Sequence, residues 1–328
     1  MIVKELRKTG PGIVAVIVLM ALLFWLKPFF ELPQPFSGNG QMPLYRLLES
    51  FLDKSPFAGI FLSFVLIIYI AFLLINFNTS DFFITERTFL PGVIFVLLSG
   101  LIPQNQVFNP VLPSALFLIL ALRKIMNTYK IQGTAFDFFD AGILISTGSL
   151  FYGGLIWFGL LIMAGIFILR PFNLKEVLIS LLGFFTPWCI LFGFYYVMSW
   201  DIKSLMSLIN DNLFGHLPVF KFSRINNLAG AVFFIAVTIS LFHLISLINN
   251  KKIKARKTFF LLILGFFLSL ILYFVLPSVS IEIFWLTAIP SSYFITHYFI
   301  FSRNRIVPEI MFSVLVLMVI LSQLLTLL

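Results

Sequence analysis

Charge is what this sequence has least of. Of 328 residues only 11% are Asp, Glu, Lys or Arg, while 60% are hydrophobic and 43 are Phe. A soluble domain averages about 25% charged residues, so a water-soluble globule is excluded. Cysteine is nearly missing too. Cys189 stands alone inside an apolar run, which excludes a disulfide framework and a Cys metal site and places this thiol in the core. The three histidines are too few for a four-histidine iron centre. No phosphate-cradling glycine loop, HExxH helix or GxSxG elbow stands in usable context. Nor does an acid or base fall at the centre of any apolar run, which speaks against an ion pump or a proton-coupled transporter.

What is present is a series of long hydrophobic runs, and these predict an all-α polytopic membrane protein. A membrane-crossing helix needs about 20 apolar residues. Runs between polar breaks fall at 11–30, 57–76, 88–102, 110–122, 141–151, 153–169, 174–198, 228–248, 258–276, 281–301 and 307–328. The first is too long for a signal-peptide core and no small-residue cleavage site follows it, so it reads as a retained span. The third, fourth and fifth are short, and Tyr152-Gly153-Gly154 predicts a hairpin between the fifth and sixth.

Crossing at every run from a cytoplasmic N-terminus puts 16 of the 22 basic residues and 7 of the 13 acids on the inner side. The whole net charge of +9 then lies there, as the positive-inside rule requires. Merging 141–169 into one span would move Arg170, Lys175 and the 251–257 cluster outside. Eleven spans, N-terminus in and C-terminus out, is the expected topology. The basic excess thereby reflects insertion and anionic lipid, and no nucleic-acid partner is implied.

The chain divides into a seven-span module (1–198, with a first outer loop at 31–56), a second outer loop (199–227) and a four-span unit (228–328). Each outer loop carries an amphipathic segment. In 42–52, Leu44, Leu47, Leu48, Phe51 and Leu52 share a stripe opposite Arg46, Glu49 and Asp53. In 202–213, Leu205, Met206, Ile209 and Leu213 do the same. Both predict helices lying in the membrane interface.

Candidate site residues follow from this placement. Glu31, directly after the first span, suits a general base or a metal ligand, or is an ordinary interfacial carboxylate. Glu49 and Asp53, at i and i+4, share a face and either join Glu31 across a cavity or form the wet side of an amphipathic helix. His216, Lys221 and Arg224 in the second loop suit a lipid phosphate, with plain headgroup contact as the alternative. Glu282, at the outer start of the tenth span, is either a substrate contact or an anion near a positive helix end. Asp137 and Asp140 read as cap and first-turn acids of the fifth span. His243 and His297, on different spans, read as packed side chains.

An acid after the first span, a loop with an interfacial helix, short paired spans and a second loop of aromatics and cations together resemble the GT-C superfamily of membrane glycosyltransferases. The stretches NPVLPSALFLILALRK, FDAGILISTGSLFY and LRPFNLKEVLISLLGFFTPW carry the same flavour. The resemblance spans roughly the first 230 residues and lies mainly in topology. It implies use of a polyprenyl-phosphate-linked sugar on the outer side, with Glu31 in the place of the first-loop acid and Lys221 or Arg224 in that of the phosphate-binding cation. In that family the loop holds paired acids, whereas here LPQP follows Glu31. Such an enzyme also raises the expectation of a divalent metal, although no ligand set for one stands out in the sequence. The segments INFNTSDFFITERTFLP and DAGILISTGSLFYG are similar to an uncharacterised inner-membrane family of Bacteroidetes-type bacteria.

Three function classes follow. One is a GT-C-like transferase or inactive relative handling a lipid-linked glycan in a bacterial inner membrane. Another is a non-catalytic subunit or scaffold of an envelope complex, with a membrane-protein partner. The third is a lipid or small-solute transporter.

Overall fold

The computed structural model describes residues 2–30, 41–52, 55–81, 83–129, 135–171, 173–215 and 224–325. Among them are fourteen α-helices and no strand. In chain order they are α1 (Ile2–Leu6), α2 (Pro11–Phe30), α3 (Pro43–Leu52), α4 (Pro56–Asp81), α5 (Leu90–Ser99), α6 (Val111–Asn127) and α7 (Ala135–Ser149). There follow α8 (Gly159–Leu169), α9 (Leu174–Val197), α10 (Ile202–Phe214), α11 (Arg224–Leu247), α12 (Ile253–Val275), α13 (Phe284–Phe301) and α14 (Ile306–Leu325).

Each of the eleven apolar runs falls on helix. Six helical stretches, formed by α2, α4, α9, α11 with the turn that follows it, α12 and α14, are long and apolar enough to cross a membrane on their own. The all-helical, multi-pass membrane character read from composition therefore holds. The expected hairpin at Tyr152 is a turn into a short 3-10 stretch, Gly153–Phe158, which leads directly into α8.

One helix is unlike the rest. Every residue of α13 from Phe284 to Ile300 is buried, including Thr287, Ser291, Ser292, Thr296 and His297. A helix enclosed by other helices must satisfy its own polar side chains. The hydroxyls of Thr287, Ser291 and Thr296 do so by donating to the carbonyls of Ile283, Thr287 and Ser292, four residues back, at 2.7–3.1 Å. The Tyr293 hydroxyl reaches out to the Leu74 carbonyl of α4 at 2.7 Å. Around this helix stand α5, α6, α11 and α12, in a single core that runs from Val3 to Val319 and takes in helices on both sides of segment 199–227.

The closest helix crossing joins α7 and α9, and it depends on glycine. A Cβ built on Gly183 would lie 2.3 Å from the Phe139 carbonyl oxygen, and one on Gly142 would lie 2.6 Å from that of Ser180. Backbone meets backbone here, the small-residue packing that replaces hydrophobic drive between helices in lipid. With Gly183 and Ser180 turned to α7, the opposite side of α9 is left bare. Cys189 is exposed there with Leu182 and Phe185. The expectation of a core cysteine is thus corrected: an apolar run in a membrane helix includes its lipid-facing side.

The connecting segments sort to two ends of the bundle. At the cationic end the Arg170 guanidinium donates to the Thr128 carbonyl through Nε and Nη2, at 2.8 and 2.6 Å, and through Nη1 to Glu176 at 2.7 Å. Lys257 donates to the Leu169 carbonyl at 3.2 Å, and Arg7 to that of Phe299. The Glu309 carboxylate accepts from the amides of Ile2 and Val3 at 2.9 and 3.0 Å, which pins α1 to α14. Lys124 binds Asp140 at 2.7 Å, and this hydrogen bond holds its ammonium above the usual lysine range. Asp140 therefore lies beyond the first turn of α7 and pairs with α6, where a cap or first-turn acid was expected.

His243 of α11 and His297 of α13, with the whole of α12 between them in sequence, also meet at this end with ring centroids 5.8 Å apart. The Lys251 ammonium rests 3.1 Å from the centroid of Phe301 beside them. The other end is rich in amides and is described with the site below.

Two measurements test these contacts, both by thermal unfolding of the purified protein in detergent. Gly183→Leu should cost about 1–3 kcal/mol or more by overpacking. Gly193→Ala, on the same helix with nothing within 4 Å, should leave the midpoint within a degree or two. Glu176→Gln leaves the Arg170 guanidinium buried against a neutral partner and should cost about 3 kcal/mol. A Glu176→Asp variant, which keeps the charge, should lose less.

Candidate functional site

The amide-rich end is organised by the segment between α5 and α6. Gln104, Asn105, Gln106 and Asn109 lie within seven residues of one another, and three of the four are buried. Asn105 donates to the Ile281 carbonyl at 3.3 Å, beside Glu282. Asn226, two residues into α11 from Arg224, donates to the Gln104 side-chain oxygen. The Tyr45 hydroxyl of α3 donates to the Phe108 carbonyl at 3.0 Å, its ring stacked on Phe108 at 5.5 Å. This one segment thus ties together α3, which carries Glu49, the start of α11, which carries Arg224, and the turn that carries Glu282.

Two helices cover this end. α9 stops where Ser199 adopts a left-handed conformation (φ 55°) and the Trp200 amide returns to the Tyr195 carbonyl at 2.9 Å. Asp201 then caps α10 by accepting from the Lys203 amide at 2.9 Å. α10 is thereby folded back across the bundle. α3 and α10 share a small core of their own: Met42, Leu150 and Trp188, with Leu44, Leu208 and Ile209 packed against them. The amphipathic stripes are split by this docking. Leu205 turns inward, while Leu47, Phe51 and Met206 stay exposed on the outside.

Beneath α10 lies Glu282, 5% exposed. Its Oε1 accepts from the Ser280 hydroxyl at 2.9 Å. The Ser278 hydroxyl fastens this turn to the C-terminal end of α10 through the Leu213 carbonyl at 2.7 Å. Tyr152, at the α7–α8 turn, is within electrostatic reach of the Glu282 carboxyl. The Tyr152 hydroxyl is buried and has no hydrogen-bond partner among the described residues; the same holds for Gln106 Oε1 and for the indole N–H groups of Trp157, Trp188 and Trp285. Buried polar atoms in a folded protein are nearly always paired. Such a set, donors and an acceptor mixed, is a place that calls for a polar ligand or ordered water; a second set of buried atoms without a partner among the described residues, on Arg7, Glu176, His243 and His297, lies at the cationic end.

Of the site residues expected from sequence, Glu49, Arg224 and Glu282 fall in this end. Glu49 accepts from the Gln41 side chain at 2.8 Å, and Arg224 is exposed at the start of α11. Glu31, Asp53, His216 and Lys221 lie outside the described residues. Tyr152 and the amides of 104–109 were not anticipated. The signal for the amides was present: QNQVFN between two runs too short to need so polar a link. Tyr152 was read only for the turn made by its glycine neighbours.

No group of three His, Cys, Asp or Glu able to hold a metal stands among the described residues, and Glu282 is a single carboxylate. Comparison of the chain with known families, characterised proteins and solved structures returned no match.

Tyr45→Phe keeps the stack on Phe108 and deletes its hydrogen bond, worth about 1 kcal/mol. A cysteine introduced at Leu48, on the half-buried side of α3, should then react severalfold faster with a water-soluble maleimide than in the Tyr45 background. The exposed native Cys189 should first be replaced by Ala.

Proposed function

We propose that this protein binds a polyprenyl-phosphate-linked glycan at the outer face of a bacterial inner membrane, as a GT-C-like transferase or an inactive relative of one. The observation that carries this reading is the buried Glu282 carboxyl within electrostatic reach of the Tyr152 phenol, which has no hydrogen-bond partner among the described residues, at the end covered by α3 and α10. Amides, indole N–H groups, a phenol and one carboxylate are the side chains that recognise sugar hydroxyls: each hydroxyl both donates and accepts, and aromatic faces cover the apolar side of the ring. The reading includes eleven crossings, with the amide-rich end outside. It is supported by the sorting of every connecting-segment contact described above to one end or the other.

In a transfer step, the bond from the sugar's anomeric carbon to the lipid phosphate oxygen breaks. The bonding electrons leave with the polyprenyl phosphate, and an acceptor hydroxyl forms the new glycosidic bond. Its proton passes to a carboxylate, Glu282 or one of the first-loop acids Glu31, Glu49 and Asp53. Arg224, with His216 and Lys221 from the second loop, holds the departing phosphate by charge-assisted hydrogen bonds.

A second reading, a non-catalytic subunit of an envelope complex, is favoured by the exposure of Leu47 and Phe51 on α3, which present an apolar surface to a membrane neighbour.

The test is transfer from labelled polyprenyl-phosphate sugars in proteoliposomes. Glu282→Gln should lower turnover at least 100-fold with little change in thermal midpoint, since the general base contributes about 10²–10⁴-fold. Wild-type turnover that survives Glu282→Gln but not Glu31→Gln would move the base to the first loop. No turnover with any donor, together with a stoichiometric protein partner after gentle extraction, would establish the scaffold instead.

A further inference from the structure

The serine and threonine hydroxyls of α13 are each paired; the imidazole on the same helix is not. His297 is fully buried, and neither of its ring nitrogens has a hydrogen-bond partner among the described residues. His243 approaches it from α11 with Nδ1 buried and equally without a partner there. A neutral imidazole carries one N–H and one bare lone pair. A ring with both unspent in a helix core is an open requirement that native interiors nearly always meet.

The surroundings do not meet it. Phe259 and Phe301 flank the His297 ring with centroids at 5.3 and 4.7 Å, and Tyr298 packs T-shaped on His243 at 5.0 Å. The two imidazoles make no hydrogen bond to each other, and all three nitrogens are closed off from solvent. An ordered water needs about 2–4 polar partners, and the faces around His297 are aromatic.

Spacing and donor type select an occupant. Bonds of about 2.0–2.1 Å from one metal ion to two imidazole nitrogens, added to the radius of each ring, put the ring centroids roughly 5–6.5 Å apart. The observed 5.8 Å falls in that interval. Calcium and magnesium do not suit, because they take oxygen ligands. Zinc takes four protein ligands in a structural site and three in a catalytic one, and no third His, Cys, Asp or Glu joins this pair among the described residues. Charge decides the rest. The Lys251 ammonium rests on the Phe301 ring, 3.1 Å from its centroid, with Glu86 within its electrostatic reach. That ammonium repels a divalent ion twice as strongly as a monovalent one, and the cost of burying an ion rises with the square of its charge. Copper(I) meets every condition: it is singly charged, accepts imidazole and is stable with two ligands.

We infer that His243 and His297 form a two-coordinate site for copper(I) where α11 meets α13 at the cationic end. The site is separate from Glu282, and the inference stands without the glycan reading. His243, only partly buried, is the ligand that an incoming ion reaches first, and His297 holds the ion away from water. Because the bound ion joins two helices of the folded state, it stabilises that state.

Transfer of copper(I) from its bicinchoninate complex to the detergent-purified protein tests the site. A Cys189→Ala background is used, since the exposed thiol is itself a copper(I) ligand. This protein should withdraw one copper(I) per chain and unfold at a higher temperature with the ion than without it. His243→Phe, at a partly buried position, should lower the affinity by about 100-fold or more, beyond the loss of an outer partner. His297→Phe should do the same, and if it does not fold, His243→Phe decides alone. Lys251→Gln should tighten copper(I) binding severalfold by removing a neighbouring positive charge. Zinc(II) supplied alone should leave the thermal midpoint unchanged. Equal copper(I) uptake by the background protein and His243→Phe overturns the site, and a zinc-induced rise that depends on His243 overturns the choice of ion. A midpoint raised by inorganic phosphate and lost in Lys251→Gln overturns it in favour of an anion.

Discussion

A helix surrounded on every side by other helices has no water and little lipid to satisfy it, and α13 is built to that constraint. Its serines and threonines return their hydroxyls to the helix's own carbonyls, so they bring no unpaired polar atom into the centre. They are also small, which lets α5, α11 and α12 come close. The rest of the bundle is arranged around this pillar. Helices that touch it on one side face lipid on the other, as the exposed Phe242 and Phe274 of α11 and α12 show.

Because the middle of the molecule is self-satisfied, its unspent polarity collects at the ends, and the two ends spend it differently. At the cationic end, guanidinium and ammonium groups are used up on carbonyls and carboxylates: Arg170 on Thr128 and Glu176, Lys257 on Leu169, Lys124 on Asp140. These contacts tie helix ends together, yet Arg7 Nε, Glu176 Oε2, His243 Nδ1 and both ring nitrogens of His297 are buried there with no partner among the described residues. At the amide-rich end, neutral amides link the elements while a phenol, an amide oxygen and three indole N–H groups are buried without a partner among the described residues. The two ends thus differ in the kind of polar group they bury, charged groups and imidazoles at one and mostly neutral groups at the other.

Much was legible in the chain and some was not, for definite reasons. Length and polarity of each run gave the helices, since a hydrocarbon environment forces backbone groups to pair within their own segment. In the structure Asn173 and Asp201 cap α9 and α10, accepting from the amides of Lys175 and Lys203. The pairing of His243 with His297 and the approach of Tyr152 to Glu282 had no such signal. Each joins residues on helices distant in sequence, and helical periodicity tells which side of a helix is apolar but not which neighbour it meets. Cys189 shows the same limit from the other direction, because in a membrane helix an apolar residue is equally at home in core and in lipid.

The sequence by itself determined that this is an all-helical membrane protein, with its excess positive charge gathered in one set of connecting segments and two amphipathic helices in the other. Hydropathy, helix length and the cost of an unpaired backbone in lipid decide those matters one segment at a time. Only the tertiary structure decided which helix is the enclosed one, that Gly183 and Gly142 sit at a backbone contact, that the segment 103–109 gathers three distant elements around Glu282, and that His243 and His297 come together. Those are facts about which faces meet, and they follow from shape matching among side chains far apart in the chain.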